Sequence, residues 1–218
     1  MGEKAIILFV RNPILGEVKT RLAATIGKEN ALEIYKKLLD HTRSITTDLP
    51  CDKFVFYADY INEQDIWKNE IYNKRIQDGE DLGERMTGAF QSLLGSGYKE
   101  VLIIGSDCYE LSQQHLEEAF EMLQRTDVVI GPATDGGYYL LGLKEPTPEL
   151  FTDMAWSKAG VFSETLSRLQ NLNRNYLLLP VRNDIDEVED LQEGWRLAES
   201  PVSALLREPA SRLKGLGP

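Results

Sequence analysis

The chain has 218 residues, 42% of them hydrophobic, enough to fill the core of one α/β domain. Its 35 Asp and Glu outnumber 24 Lys and Arg, a net charge of −11, so phosphate backbones and anionic lipid repel it. That argues against a nucleic-acid or membrane partner, while a local basic cluster still admits a small phosphate-bearing ligand.

The opening "MGEKAIILFV" holds only six consecutive apolar residues, too few for a signal-peptide core or a membrane span, and Ile6 stands where a myristoylation signal needs Ser or Thr. Cys51 and Cys108 form no C-x-x-C pair. A reduced, cytoplasmic setting is therefore expected. "AIILFV" (5–10) reads as a buried strand. The loop after it, "RNPILGEVKTRL" (11–22), leaves the carboxyl end of that strand, where open α/β sheets bind ligands. It carries Arg11, Lys19 and Arg21 around Gly16, with a helix starting near Lys19. This reads as an anion site that is neither a Walker A loop nor G-x-G-x-x-G.

Residues 30–46 form a helix with Ala31, Tyr35, Leu38, Leu39 and Thr42 on one face. "KFVFYA" (53–58) is the next strand. "IQDGEDLGERM" (76–86) sets Gly79 and Gly83 about a loop that leads into a helix bearing Met86, Ala89, Phe90 and Leu93. Glycines there either admit a flat ring close to the backbone or simply turn the chain. "EVLIIG" (100–105) is a strand running into "SDC", so Asp107 lies just past its carboxyl end as a hard-cation ligand or a cap. A helix over 113–125 follows, with Ser112 as N-cap.

"DVVIG" (127–131) and "YYLLGL" (138–143) are strands joined by about six residues. That is too short for a helical crossover, so a mainly parallel sheet must turn mixed there. "NYLLLPV" (175–181) is a further strand. After it, "NDIDEVEDL" (183–191) sets Asp184 and Asp186 on one side of extended chain, while Glu187, Glu189 and Asp190 compensate a helix N-terminus. His41 and His115 fall in helices and read as structural. Residues 1–198 are expected to form one domain, and 199–218, with three Pro and two Gly, a weakly ordered tail with a short helix near Ala204 to Arg207.

In order, "FVRNPILGEVKTRL", "DGEDLGERM", "GSDC", "GPATDGGYYLLGL", "WS" and "DIDEVEDL" resemble the radical-SAM/selenodomain-associated transferases, including arsenosugar-biosynthesis glycosyltransferases. That family is related to the GT-A-fold nucleotide-diphospho-sugar transferases and similar to guanylyltransferases acting on 2-phospholactate or the molybdenum cofactor. The resemblance spans about residues 4–195 and departs at Tyr109-Glu110, where Pro-Asp is usual, and at "MAWSK".

The resemblance implies a GT-A-like fold, a mainly parallel mixed sheet with helices on both faces. It implies a transferase using Mg²⁺ or Mn²⁺, a nucleotide-activated donor (nucleoside-diphosphate sugar or nucleoside triphosphate) and a small acceptor. Glycosyl transfer is the first expectation, nucleotidyl transfer with pyrophosphate release the alternative, and a silent nucleotide-binding regulatory module a third. Arg11, Gly16, Lys19 and Arg21 would hold phosphates, with Lys19 and Arg21 assisting the chemistry. Gly79, Asp81, Gly83 and Arg85 would line the nucleotide. Asp107, with Asp184 or Asp186, would hold the cation. Asp135 would steer the acceptor, with Gly136, Gly137, Tyr138, Trp156 and Ser157 around it. Tyr138 and Tyr139 point opposite ways on a strand, so at most one is expected in the pocket. Oligomeric state is not legible.

Overall fold

A computed structural model describes residues 2–156 and 160–191. The expected tail therefore lies outside the described residues, as does the end of the proposed 1–198 domain. The strands are β1 (Lys4–Val10), β2 (Asp52–Tyr57), β3 (Tyr72–Ile76), β4 (Glu100–Ile104), β5 (Val128–Pro132), β6 (Tyr138–Leu143) and β7 (Tyr176–Leu178). The helices are α1 (Thr20–Ile26), α2 (Lys28–Thr46), α3 (Leu82–Gly95), α4 (Gln113–Arg125) and α5 (Val161–Asn171). The strands make one sheet in the order β3-β2-β1-β4-β6-β5-β7.

All neighbours run parallel except β6, which is antiparallel to both β4 and β5. The short β5–β6 connection dictates this, and the sheet is mixed as the spacing required. Alternation along the strands feeds two cores. Ile6, Leu8, Val55 and Leu102 meet α2 and α4 on one face. Ala5, Ile7, Phe54 and Ile103 meet α3 and α5 on the other. Ser112 caps α4 by accepting from the His115 N–H, and His115 closes a reciprocal capping box.

Three elements depart from the sequence reading, one of them α5, which it did not place. β3, "YNKRI", carries no apolar run because it is an edge strand with only Tyr72 buried. The Arg75 guanidinium covers the Phe54 ring at 4.7 Å, so a cation–π contact shields that apolar face where an apolar side chain would otherwise stand. β7 is three residues long rather than seven, since Pro180 lacks an N–H to continue the ladder. The loop between β2 and β3 is anchored internally. Asp65 accepts from Tyr57 Oη at 2.6 Å, Lys74 Nζ at 2.9 Å and the Trp67 N–H at 3.0 Å.

Candidate active site

A cleft of about 890 Å³ lies over the carboxyl ends of β1 to β4. β1 ends into Arg11, β2 into Ala58, β3 into Gln77 and β4 into Gly105-Ser106-Asp107, and each of these borders the cleft. The chain winds from β1 outward to β2 and β3, then returns to place β4 on the other side of β1. The cleft thus sits at the switch point of an open sheet, where strand ends splay and loops leave a crevice.

The centre of the cleft is ionic. Lys19 immediately precedes α1 in a left-handed backbone, φ 48° and ψ 47°, a conformation rare for a side chain of this kind. Its side chain is 5% exposed. Nζ lies 2.9 Å from Asp107 Oδ1, off the axis of a hydrogen bond, and 3.4 Å from Asp186 Oδ1. Arg21 Nη1 reaches Asp186 Oδ2 at 3.0 Å. Burial works against the Lys19 ammonium, but Asp107, Asp186 and Asp184 outweigh it and hold its pKa above the ordinary value. Asp184 is pushed up to about 7, first by burial, then by repulsion from Asp107 and Asp135, with Lys19 opposing.

These carboxylates fit a divalent cation in a limited way. Asp107 Oδ1 and Asp184 Oδ1 are sealed from solvent without a hydrogen-bond partner. Both are hard oxygen donors. Asp186, expected to share the cation, pairs with Lys19 at 3.4 Å and Arg21 at 3.0 Å. Among the described residues no group of three or more His, Cys, Asp or Glu converges to hold a metal. The fit is therefore to an ion held by one or two carboxylates that completes its shell with phosphate and water, as Mg²⁺ does.

The acidic loop is built by residues with other expected roles. Asp190 Oδ2 accepts the Asp186 and Glu187 N–H groups at 2.8 and 2.7 Å, and its Oδ1 accepts Asn183 Nδ2 at 2.9 Å. Thr134 donates to Asn183, tying the loop to the β5–β6 turn. The Ile185 N–H donates to the Asp107 carbonyl at 2.9 Å, joining Asp184 and Asp107 through the backbone. Asp190 is thus a clamp on the loop, correcting its reading as a dipole compensator.

Arg11, Lys19, Arg21, Asp81, Arg85, Asp107, Tyr138, Asp184 and Asp186 all border the cleft; Gly16, Gly79, Gly83, Asp135, Gly136, Gly137 and Trp156 do not. Ser157 lies outside the described residues. Gly16 and Gly79 have φ of 80° and 136° and serve turns. A Cβ at Gly83 would fall 2.7 Å from the Phe151 carbonyl and 2.8 Å from Trp156 Nε1, so this glycine admits α3 against that segment rather than a base. Asp81 caps α3, accepting the Glu84 N–H at 2.8 Å. Asp135 forms an Asx-turn, its Oδ1 accepting the Gly137 N–H at 2.9 Å. Gly136 has φ 89°, and its carbonyl accepts the Phe162 N–H at the start of α5. Tyr138 packs toward the α3 face and Tyr139 toward the α2 face, as alternation requires. Both nevertheless border the cleft, because it wraps the end of β6.

Several bordering residues escaped the sequence reading. Gln77 donates its amide to the Val10 and Phe56 carbonyls, and it went unseen because β3 did. Tyr35 was read only as core. Its hydroxyl accepts the Arg11 N–H at 2.8 Å and donates to the Arg11 carbonyl at 3.1 Å, fixing the exit of β1. Burial pushes that phenol up to about 12. Cys108 is buried and its thiol is raised, mainly by burial, so it is no nucleophile. Arg182, also missed, sets Nη2 2.7 Å from His115 Nε2 behind the cleft.

An open mixed sheet with a basic and acidic cleft at its switch point defines the GT-A-like class, the build of nucleotide-using transferases. The chain belongs to the family described as "Uncharacterized protein conserved in bacteria (DUF2064)", whose profile matches residues 41–158. It is 32% identical to a protein of Desulfovibrio desulfuricans G20 assigned as a nucleotide-diphospho-sugar transferase, with a TM-score of 0.84 over 98% of this chain and 94% of that one. It is 27% identical to the 2-phospho-L-lactate guanylyltransferase of Methanocaldococcus vulcanius over 86% of this chain and 83% of that protein. The 4-diphosphocytidyl-2C-methyl-D-erythritol synthase of Anaerococcus prevotii, at 11% identity and TM-score 0.56 over 94% and 96% of the two chains, shares the fold. At the level of a nucleotide-using transferase, the chain stands with these relatives. Among the described residues no helix is long and apolar enough to cross a membrane.

Proposed function

We propose that the protein transfers a nucleotidyl group from a nucleoside triphosphate to a small acceptor and releases pyrophosphate. The observation that carries this reading is the concentration of Arg11, Lys19, Arg21 and Arg85 around the same cleft as Asp107 and Asp184. A triphosphate brings about four negative charges at neutral pH, and this set offers four cations beside the Asp107 and Asp184 carboxylates. The guanylyltransferase relatives support the same choice.

In this reading the acceptor oxygen attacks the α-phosphorus, the bond to the β-phosphate oxygen breaks, and pyrophosphate leaves with the electron pair. Arg11 and Arg85, neither in an ion pair with a described residue, grip the outer phosphates. Lys19 and Arg21 stabilise the charge that grows on the leaving group. Asp107 and Asp184 would hold Mg²⁺ or Mn²⁺, which supplies further neutralisation of the phosphates. Asp135, close enough to Asp184 to repel its charge, orients the acceptor and takes its proton. Tyr138 walls the acceptor side, with Gly136, Gly137 and Trp156 supporting that wall from outside the cleft. The free thiols and acidic composition suit the cytoplasm.

Glycosyl transfer from a nucleoside-diphosphate sugar, including the arsenosugar type, is the second reading. It is favoured by the Desulfovibrio relative. The two separate by product. The protein with Mg²⁺ is incubated with each nucleoside triphosphate or nucleotide sugar and a panel of small hydroxyl, carboxylate and phosphate acceptors. Pyrophosphate release is expected. Release of nucleoside diphosphate from a sugar donor would replace the first reading with the second, and nucleotide binding without either product would leave a regulatory module.

A further inference from the structure

We propose that Lys19 is a built-in counter-ion: its ammonium takes the divalent-cation position beside Asp107 and leaves it only for nucleotide phosphate, so that cation and nucleotide binding are coupled through this one side chain. The inference rests on the nucleotide reading above and adds a switch of partner for one residue.

The geometry is specific. Asp107 Oδ1 and Asp184 Oδ1 are buried oxygens without a hydrogen-bond partner, so either could ligate a cation without first breaking a hydrogen bond. Lys19 Nζ already stands 2.9 Å from the first. A divalent ion bonds such an oxygen at about 2.1 Å, so the ion and the ammonium would stand as like charges at one carboxylate. Their repulsion favours moving the ammonium away. The ammonium is nearly sealed from solvent, and its second contact is Asp186 at 3.4 Å. Asp186 is itself claimed by Arg21 at 3.0 Å, so it offers Lys19 only a shared carboxylate. The destination that restores full pairing is a phosphate, which brings its own charge into the cleft.

The backbone points the same way. Lys19 holds φ 48°, one of three non-glycine residues with positive φ among those described. Such strain persists where surroundings over-determine it, and it gathers at switching sites. Here the surroundings are the carboxylates of two loops. By linkage, whatever factor nucleotide adds to cation affinity, cation adds to nucleotide affinity. Removing Lys19 should therefore act with opposite signs on the two ligands. A purely structural lysine would weaken both or neither.

The test is calorimetric titration of Mn²⁺ into the full chain without nucleotide, for wild type, Lys19→Met and Lys19→Gln. A second titration uses a non-hydrolysable nucleoside triphosphate analogue. Both variants are expected to bind Mn²⁺ alone at least tenfold tighter than wild type and the analogue at least tenfold weaker. Adding Asp107→Asn to Lys19→Met should erase the gain in Mn²⁺ affinity. The glutamine variant keeps a polar group in the buried position and stands in if the methionine variant melts early. Unchanged or weaker Mn²⁺ binding in a folded variant overturns the counter-ion role. Wild type that takes up no analogue, with or without Mn²⁺, overturns the transferase reading instead, while the Mn²⁺ titration still judges Lys19.

Discussion

Replacing Asp184 by Asn should stabilise the protein in the absence of cation. The Asp184 carboxyl ordinarily titrates at 3.8, and burial together with the Asp107 and Asp135 charges pushes it up to about 7. The difference spans about 3 pH units, each worth about 1.4 kcal/mol, so carrying the charge at pH 8 costs the fold up to about 4 kcal/mol. The folded pKa is raised, so stability is fully present below the ordinary value and is lost as pH climbs through about 7. Asparagine keeps the shape and never ionises. In chelator at pH 8, Asp184→Asn should gain as much as about 4 kcal/mol over wild type. For a chain of this length that is a melting shift of up to about 8–16 °C. At pH 5 more than half the gain should vanish, because wild type is then largely protonated at this position. Urea melts of both proteins at pH 5 and 8 measure the difference. A variant no more stable than wild type at pH 8, or a gain independent of pH, would refute the argument. Added Mn²⁺ should narrow the gap by stabilising wild type.

Asp135→Ala is expected to lower kcat while leaving nucleotide Kd unchanged; Asp135→Asn, which can keep the Asx-turn, should be equally slow, and full activity in it would end the acceptor role. Gly136→Val forces a branched side chain to φ 89° and should cost about 1–3 kcal/mol, read as a lower Tm. Gly131→Ala would set a Cβ 2.4 Å from the Tyr139 ring, so about 1–3 kcal/mol of overpacking should come with weaker nucleotide binding as the ring shifts. Lys74→Met strands Asp65 in a site where the two side chains are 6% and 14% exposed, and urea melts should show a loss of about 3–5 kcal/mol.

Much of the frame was legible in the sequence alone. Buried strands such as "AIILFV" and "VLII" announce themselves because both faces of a central parallel strand need apolar side chains. Ser112 announces α4 because a cap is satisfied within one turn. The short reach from Val128 to Leu143 forced β6 antiparallel. Likewise, Arg11, Lys19 and Arg21 after β1, and Asp107 after β4, had to stand at strand ends whatever the packing. The tertiary structure alone decided what these charges do. Lys19 meets Asp186 across 167 positions of chain. Trp156 explains Gly83, and Arg75 lying on Phe54 explains why β3 lacks an apolar signature. Local signals survive in sequence because caps, turns and strand alternation act between near neighbours. Partner choice among like residues does not, because a carboxylate answers to whichever cation the fold brings within about 4 Å, and that distance is set by the packing of the whole sheet.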